Sequence, residues 1–212
     1  MTTVIDATGD PPPHSAIAAA AAALREGDIV GLPTDTVYGL AADPWHSGAS
    51  DRLFLVKGRP RNVELPVFVA GLEQAIEVTT SLTPGAVRLM ERFWPGPLTI
   101  VLPRRPDLDA DLGEDDATIG LRCPHHPVPL ALCREFGPYA TTSANRHGSP
   151  PAVAARQVAE ELSGVQLVLD GGSCEGQPST VVDATGDTPR LLRAGALDWD
   201  AILAVAKGPG AG

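Results

Sequence analysis

GLPTDTVYGLAADPW, Gly31 to Trp45, follows directly from Asp28-Ile29-Val30 and turns at Pro33 into three small polar residues, Thr34-Asp35-Thr36. The apolar run 28–32, bounded by turn-forming residues, reads as a short buried strand. Strand ends that open into hydroxyl and carboxylate groups are where α/β proteins usually hold ligands. Thr and Asp are also ordinary turn residues, so the stretch alone leaves a ligand-binding loop and a capped turn both open.

Working outward from this strand, helical and extended segments alternate. Ser15 is placed to cap a helix through Glu26, ended by Gly27. Ser50 to Lys57 reads as a helix, Leu65 to Ala70 as a strand, and Leu72 to Val78 as a short helix. Thr83-Pro84 opens the next helix, to Trp94, with proline in the first turn. Strands are expected at Pro97–Leu102, Thr118–Arg122 and Tyr139–Thr142, with helices at Val128–Phe136 and Ala152–Leu162. Strands at 165–169, 179–184 and 190–193 and a helix at Trp199–Val205 follow. This alternation gives an α/β fold, and the closely spaced late strands make its sheet mixed. The phrase VIDATGDPP at 4–12 returns as VVDATGDTP at 181–189, too short an echo to mean duplication. Residues 1–207 read as one domain and 208–212 as a disordered tail.

Composition narrows the function. Of 212 residues 43% are hydrophobic and 20% charged, as in a globular domain. Sixteen Lys and Arg stand against 26 Asp and Glu, a formal charge of −10. That balance argues against a broad nucleic-acid surface, although a local basic pocket remains compatible with it. Cys123, Cys133 and Cys174 form no CxxC pair and suit a reducing cytosol. The run Ile17–Leu24 lacks a basic flank and follows Asp6 and Asp10, so it reads as a cytosolic helix rather than a leader. Nothing approaches the roughly 20 apolar residues of a membrane span.

Neither GxxxxGK[ST] nor GxGxxG occurs. The acidic run Asp107–Gly113 has its glycine one place late for a calcium loop, and Thr118 stands where the twelfth-position Glu belongs, so it reads as a charged surface hairpin. His125-His126 lacks a third ligand, and no metal site is assigned. Lys57-Gly58-Arg59-Pro60-Arg61 puts three cations at a helix end. They can complement the helix dipole, or the fixed turn can aim Lys57 and Arg59 together as a polyanion clamp. Thr141-Thr142-Ser143-Ala144-Asn145 follows an extended segment, where hydroxyls and backbone amides can wrap phosphate oxygens or make a polar turn.

Six motifs then stand in order: PTDTVYGLA, KGRP, TIGLRCP, TTSAN, PSTVVD and LLRAG. From Ala16 to Gly195 the chain closely resembles the YrdC-type threonylcarbamoyl-AMP synthases, which make the activated intermediate for the t6A modification of tRNA. The resemblance implies a single-domain twisted mixed sheet with flanking helices around a deep concave basic pocket. It implies a cytoplasmic nucleotidyltransferase that uses L-threonine, bicarbonate or CO2, and ATP with Mg2+, releases pyrophosphate, and supplies a downstream tRNA threonylcarbamoyl-transferase complex. By motif, Lys57 and Arg59 stand where the family's catalytic phosphate-binding cations stand. Thr118, Ser143, Asn145, Pro151 and Arg193 match further ATP-contacting positions, and Thr36, Arg122, Thr141 and Ser179 match positions that hold threonine. A guanidinium at Arg122 can take a carboxylate with two parallel hydrogen bonds.

Two departures stand out. Where many relatives read NPLIVH this chain has Leu65 to Ala70 and no histidine, and His147 replaces a serine in the loop after Asn145. The chain looks like the short, single-domain form. Two alternatives are weighed beside this reading: a carbamoyl-adenylate-forming relative, which would call for an acylphosphatase-like or zinc-finger segment, and an RNA-binding module. The −10 charge and nine aromatic residues count against the second.

Overall fold

A computed structural model describes residues 2–174 and 176–208. The elements run β1 (Thr3–Asp6), α1 (His14–Arg25), β2 (Val30–Leu32), β3 (Gly39–Ala42), α2 (Ala49–Lys57), β4 (Val67–Phe68), α3 (Leu72–Val78) and α4 (Pro84–Phe93). Then follow β5 (Leu98–Pro103), β6 (Thr118–Arg122), α5 (Pro127–Phe136), β7 (Tyr139–Ser143), α6 (Ala155–Glu161), β8 (Leu167–Asp170), β9 (Thr180–Asp183), β10 (Arg190–Arg193) and α7 (Trp199–Lys207). All ten strands form one sheet in the order β1-β8-β2-β3-β7-β4-β6-β5-β9-β10. Parallel pairs (β1 with β8, β2 with β8, β4 with β6, β5 with β9) mix with antiparallel ones, so the sheet is mixed as expected.

Strand alternation divides the apolar residues between two faces. Val30 and Leu32 of β2, Phe68 of β4, Tyr139 of β7, and Leu167 and Leu169 of β8 pack beneath α1 and α5. Their neighbours Leu40, Val67, Ala140 and Val168 point the other way, into a larger core closed by α2, α3, α4, α6 and α7. Small residues allow close approach: α1 buries Ala16, Ala20 and Ala21 with Ile17 and Leu24.

Several local expectations need correction. Ser15 does not cap α1; the helix starts at His14 after Pro13, with no side-chain cap, and ends before Gly27 in the left-handed region. Thr83 does cap α4, accepting a hydrogen bond from the Ala86 amide. Helix α6 begins at Ala155, three residues after Ala152, because Ala152 is held in a backbone pairing with Ala144 and Tyr38. Strand β3 lies inside the stretch read as a loop. His126 Nδ1 accepts the Val128 amide and caps α5. Among the described residues no group of three metal-ligating side chains occurs. The acidic segment 107–116 does join antiparallel β5 and β6, but it is more than a surface hairpin. Ala110 and Leu112 are buried, and the Arg104 guanidinium, itself buried, donates to the Leu108 and Ala110 carbonyls.

The echoed phrases fold alike. Asp6 Oδ1 accepts from the Thr8 amide and hydroxyl at 2.9 and 2.7 Å. Asp183 Oδ1 does the same with Thr185 at the same distances. Each is a strand closed by an Asp–x–Thr turn. Of the expected tail 208–212, only Gly208 lies within the described residues, its amide bonded to the Val205 carbonyl. No helix among the described residues is long and apolar enough to cross a membrane.

Candidate active site

Strand register builds the site. Antiparallel pairing of β3 with β7 sets Gly39 opposite Ser143 and Ala41 opposite Thr141, so the Pro33–Tyr38 turn lies beside the hydroxyl-rich end of β7. Parallel pairing of β5 with β9 brings Thr99 level with Val181. Pairing of β5 with β6 carries Thr118 and Gly120 to the same side. Together these strands enclose a cavity of about 510 Å³.

All four residues assigned to threonine, Thr36, Arg122, Thr141 and Ser179, line it. Of the nucleotide set, Arg59, Thr118, Ser143, Pro151 and Arg193 line it, while Lys57 and Asn145 stand behind Ser143. The Lys57 ammonium donates to the Ser143 carbonyl at 2.5 Å, to Ser143 Oγ at 2.8 Å and to Asn145 Oδ1. That uses all three of its donors. Asn145 in turn donates to the Ser149 carbonyl at 2.6 Å, so Lys57 and Asn145 jointly fix the turn after β7. Thr118 is tied to Asp115, its hydroxyl donating at 2.6 Å.

The turn that follows β2 is organised by Thr34. Its hydroxyl donates to the Val37 carbonyl at 2.7 Å, and its oxygen accepts from the amides of Thr36 and Val37. The Thr36 hydroxyl lies 2.9 Å from Thr34 Oγ1, either being able to donate, and its oxygen accepts from Arg122 Nη1 at 3.1 Å. Arg122 is buried, bonded also to the Gly96 carbonyl at 3.1 Å and to Asp35 at 2.6 Å. Among the described residues three of its five N–H groups are committed and two remain.

Arg59 likewise holds the Val63 and Glu64 carbonyls and Thr142 Oγ1 with three N–H groups. Arg193 bonds the Ser179 carbonyl and hydroxyl through Nε and Nη2, leaving Nη1 without a protein partner among the described residues. The Ser179 hydroxyl also lies 3.0 Å from Thr99 Oγ1. These cations act on one another. Burial first, then the charges of Arg59 and Arg193, lower the Lys57 pKa to about 7. Burial, then Arg193, lowers that of Arg59. The cavity therefore concentrates positive charge and unsatisfied donors in a partly desolvated space, which is what a multiply charged anion needs.

Gly195, at the end of LLRAG, explains how Arg193 gets there. A Cβ at this position would collide with the backbone of Ser179 and Thr180, neither of which can swing away. Gly195→Ala is expected to cost about 1–3 kcal/mol, as overpacking does, and to weaken polyanion binding in the cavity by displacing Arg193. Chemical denaturation and ligand titration of the variant would show both losses together.

The sequence reading missed Asp35, Glu64, Thr99 and Thr142. Thr99, Thr142 and Glu64 line the cavity, and Asp35 anchors Arg122. Thr142 lies inside a recognised motif, but Thr99 sits in an apolar strand where one hydroxyl carries little signal.

The profile of the Sua5/YciO/YrdC family, described as telomere recombination, matches residues 22–195. A threonylcarbamoyl-AMP synthase of Bacillus subtilis is 42% identical over 193 residues, covering 89% of this chain and 56% of that protein. The crystal structure of Pyrococcus abyssi Sua5 complexed with L-threonine superposes with a TM-score of 0.85 at 36% identity, over 95% of this chain and 60% of the other. This chain thus spans somewhat over half the length of those two relatives. Escherichia coli YciO, with a TM-score of 0.86 and 27% identity, is matched over 96% of this chain and 99% of its own. The ordered motifs, the ten-stranded mixed sheet and these likenesses agree: the chain belongs to the Sua5/YciO/YrdC family.

Proposed function

We propose that the protein is a cytosolic L-threonylcarbamoyladenylate synthase, joining L-threonine, bicarbonate or CO2, and ATP into threonylcarbamoyl-AMP and pyrophosphate. The observation that carries this reading is the division of one cavity between two kinds of anion site. Around Arg122, two free guanidinium N–H groups and the Thr36 hydroxyl supply donors suited to a single carboxylate. Around Arg59 and Arg193, further open donors and the charge of Lys57 suit a polyphosphate. Relatives named threonylcarbamoyl-AMP synthase and a relative solved with L-threonine support the assignment of the first end.

In this mechanism the carboxylate of threonine is held by Arg122 and Thr36, with Thr141 and Ser179 completing its pocket. The neutral amine adds to CO2 and loses a proton, giving a carbamate. A carbamate oxygen then attacks the α-phosphorus of ATP, the bond to the β-phosphate oxygen breaks, and pyrophosphate departs. Arg59 and Arg193, with Ser143, Asn145, Thr118 and Pro151 around the nucleotide, offset the charge gathering on the phosphates. Enclosure of the carbamate limits its decarboxylation. Magnesium would arrive on the phosphates, and at that end the Thr118 hydroxyl, which gives its proton to Asp115, keeps its hard oxygen for such an ion. When bound, such an ion spreads phosphate charge. The product would serve a transferase that modifies adenosine 37 of tRNA.

The direct test is pyrophosphate release. It is expected only with threonine, bicarbonate, ATP and magnesium together, and equal release without threonine overturns the reading. The Lys57 shift adds a pH signature. An anion bound nearby favours the ammonium and raises its pKa, so binding takes up a proton wherever free Lys57 is already neutral. ATP affinity should therefore fall as pH rises through about 7, approaching tenfold per unit above it, and Lys57→Met should flatten that slope in titrations across this range.

A further inference from the structure

The three arginines that line the cavity and Lys57 behind its wall are not equivalent. Arg122 is paired with Asp35, at side-chain exposures of 6% and 12%. Lys57, Arg59 and Arg193 contact only carbonyl, hydroxyl and amide oxygens, and none meets a carboxylate at salt-bridge distance among the described residues. Glu64, the acid on that side, turns its carboxylate to the amides of Glu114 and Asp115 instead of to Arg59. Asp35 itself is not part of the cavity wall, and its second oxygen is buried without a hydrogen bond. A buried pair of this kind is not by itself a gain in stability. Its electrostatic effect is definite: it cancels the charge of Arg122 and leaves the two free N–H groups in place.

We infer that Asp35 is a specificity-determining residue, acting through Arg122. By neutralising that end of the cavity it admits a ligand with one carboxylate and reserves polyphosphates for Lys57, Arg59 and Arg193. Without the Asp35 charge, Arg122 would join the other three in one continuous strip, since the field of Arg193 already reaches it. A triphosphate would then gain by lying across the amino-acid end. Discrimination by a built-in unfavourable element is a common way to separate two ligands in adjoining sites. The inference rests on the two-ended reading proposed above.

The test uses inorganic tripolyphosphate and L-threonine with the whole protein, by calorimetry. In the wild type, tripolyphosphate should compete with ATP while leaving threonine affinity within about twofold, since the two ends bind independently. In Asp35→Asn, which retains an acceptor for Arg122, tripolyphosphate should weaken threonine binding about tenfold or more in a competitive pattern. In Asp35→Asn/Arg122→Gln, tripolyphosphate affinity should return to that of the wild type. A purely structural role for Asp35 predicts a lower melting temperature with no change in competition pattern, and that result overturns the inference. Displacement of threonine by tripolyphosphate in the wild type overturns it as well, whether or not the variants fold. Failure of the wild type to bind threonine at all would instead remove the two-ended reading on which the inference stands.

Discussion

Arg59→Ala is expected to lower threonine-dependent pyrophosphate release by on the order of 10²-fold or more, the loss typical of a donor aimed at charge developing in an enclosed site. Lys57→Ala should cost a similar amount by a different route. Arg59 lines the cavity and has open N–H groups to offer the phosphates. Lys57 lies behind Ser143, buried, and contributes charge while holding the turn after β7. The two variants should therefore separate in stability. Losing Lys57 frees the Ser143 carbonyl and Asn145, at about 1–3 kcal/mol for hydrogen bonds to a charged group. Losing Arg59 releases a half-buried turn and should cost less. Steady-state kinetics with thermal unfolding of both proteins checks the pair, and normal turnover in either would return that residue to an ordinary helix end.

Arg122→Ala should be the most damaging change to the fold among the site residues. It strands Asp35, already carrying one unbonded buried oxygen, without its counter-charge. Breaking one side of a buried pair costs about 3–5 kcal/mol. Arg122→Lys keeps a positive charge near Asp35 but cannot reproduce the bonds to Gly96 and Thr36 together with the remaining fork. Threonine affinity should fall by about 1–3 kcal/mol, the range for charge-assisted hydrogen bonds, with ATP affinity close to normal. Denaturant unfolding and separate titrations with each ligand decide the matter. Equal loss of both ligands in Arg122→Lys would remove Arg122 from the amino-acid end.

What could be read from the sequence was mostly local. Turn residues announced the strand ends, and motif order placed the hydroxyls and cations that share the cavity. Strand β3 escaped because Gly39-Leu40-Ala41-Ala42 has no β-branched residue and no polar alternation; it is extended because both of its neighbours, β2 and β7, pair with it. The cap of α1 was misplaced by two residues because Ser15 is only one of several ways to begin a helix, and here the backbone after Pro13 suffices. The Asp35–Arg122 pair spans 87 residues of chain, and no periodicity or motif spacing reports such a contact. From the motif Arg122 reads only as a ligand-binding cation, whereas the structure gives it both an acidic partner and open donors.

Strand β10 carries Arg193 at the outer edge of the sheet, exposed along its length, with a shift in register between Leu191 and Arg193. Its backbone is bonded on one side only, so its amides should exchange with solvent through small openings that leave both cores intact. Each opening withdraws a cation from the proposed polyphosphate end. Warming should accordingly extinguish catalysis before the molecule melts, and a bound nucleotide, by fastening this hem of the sheet, should slow its exchange most.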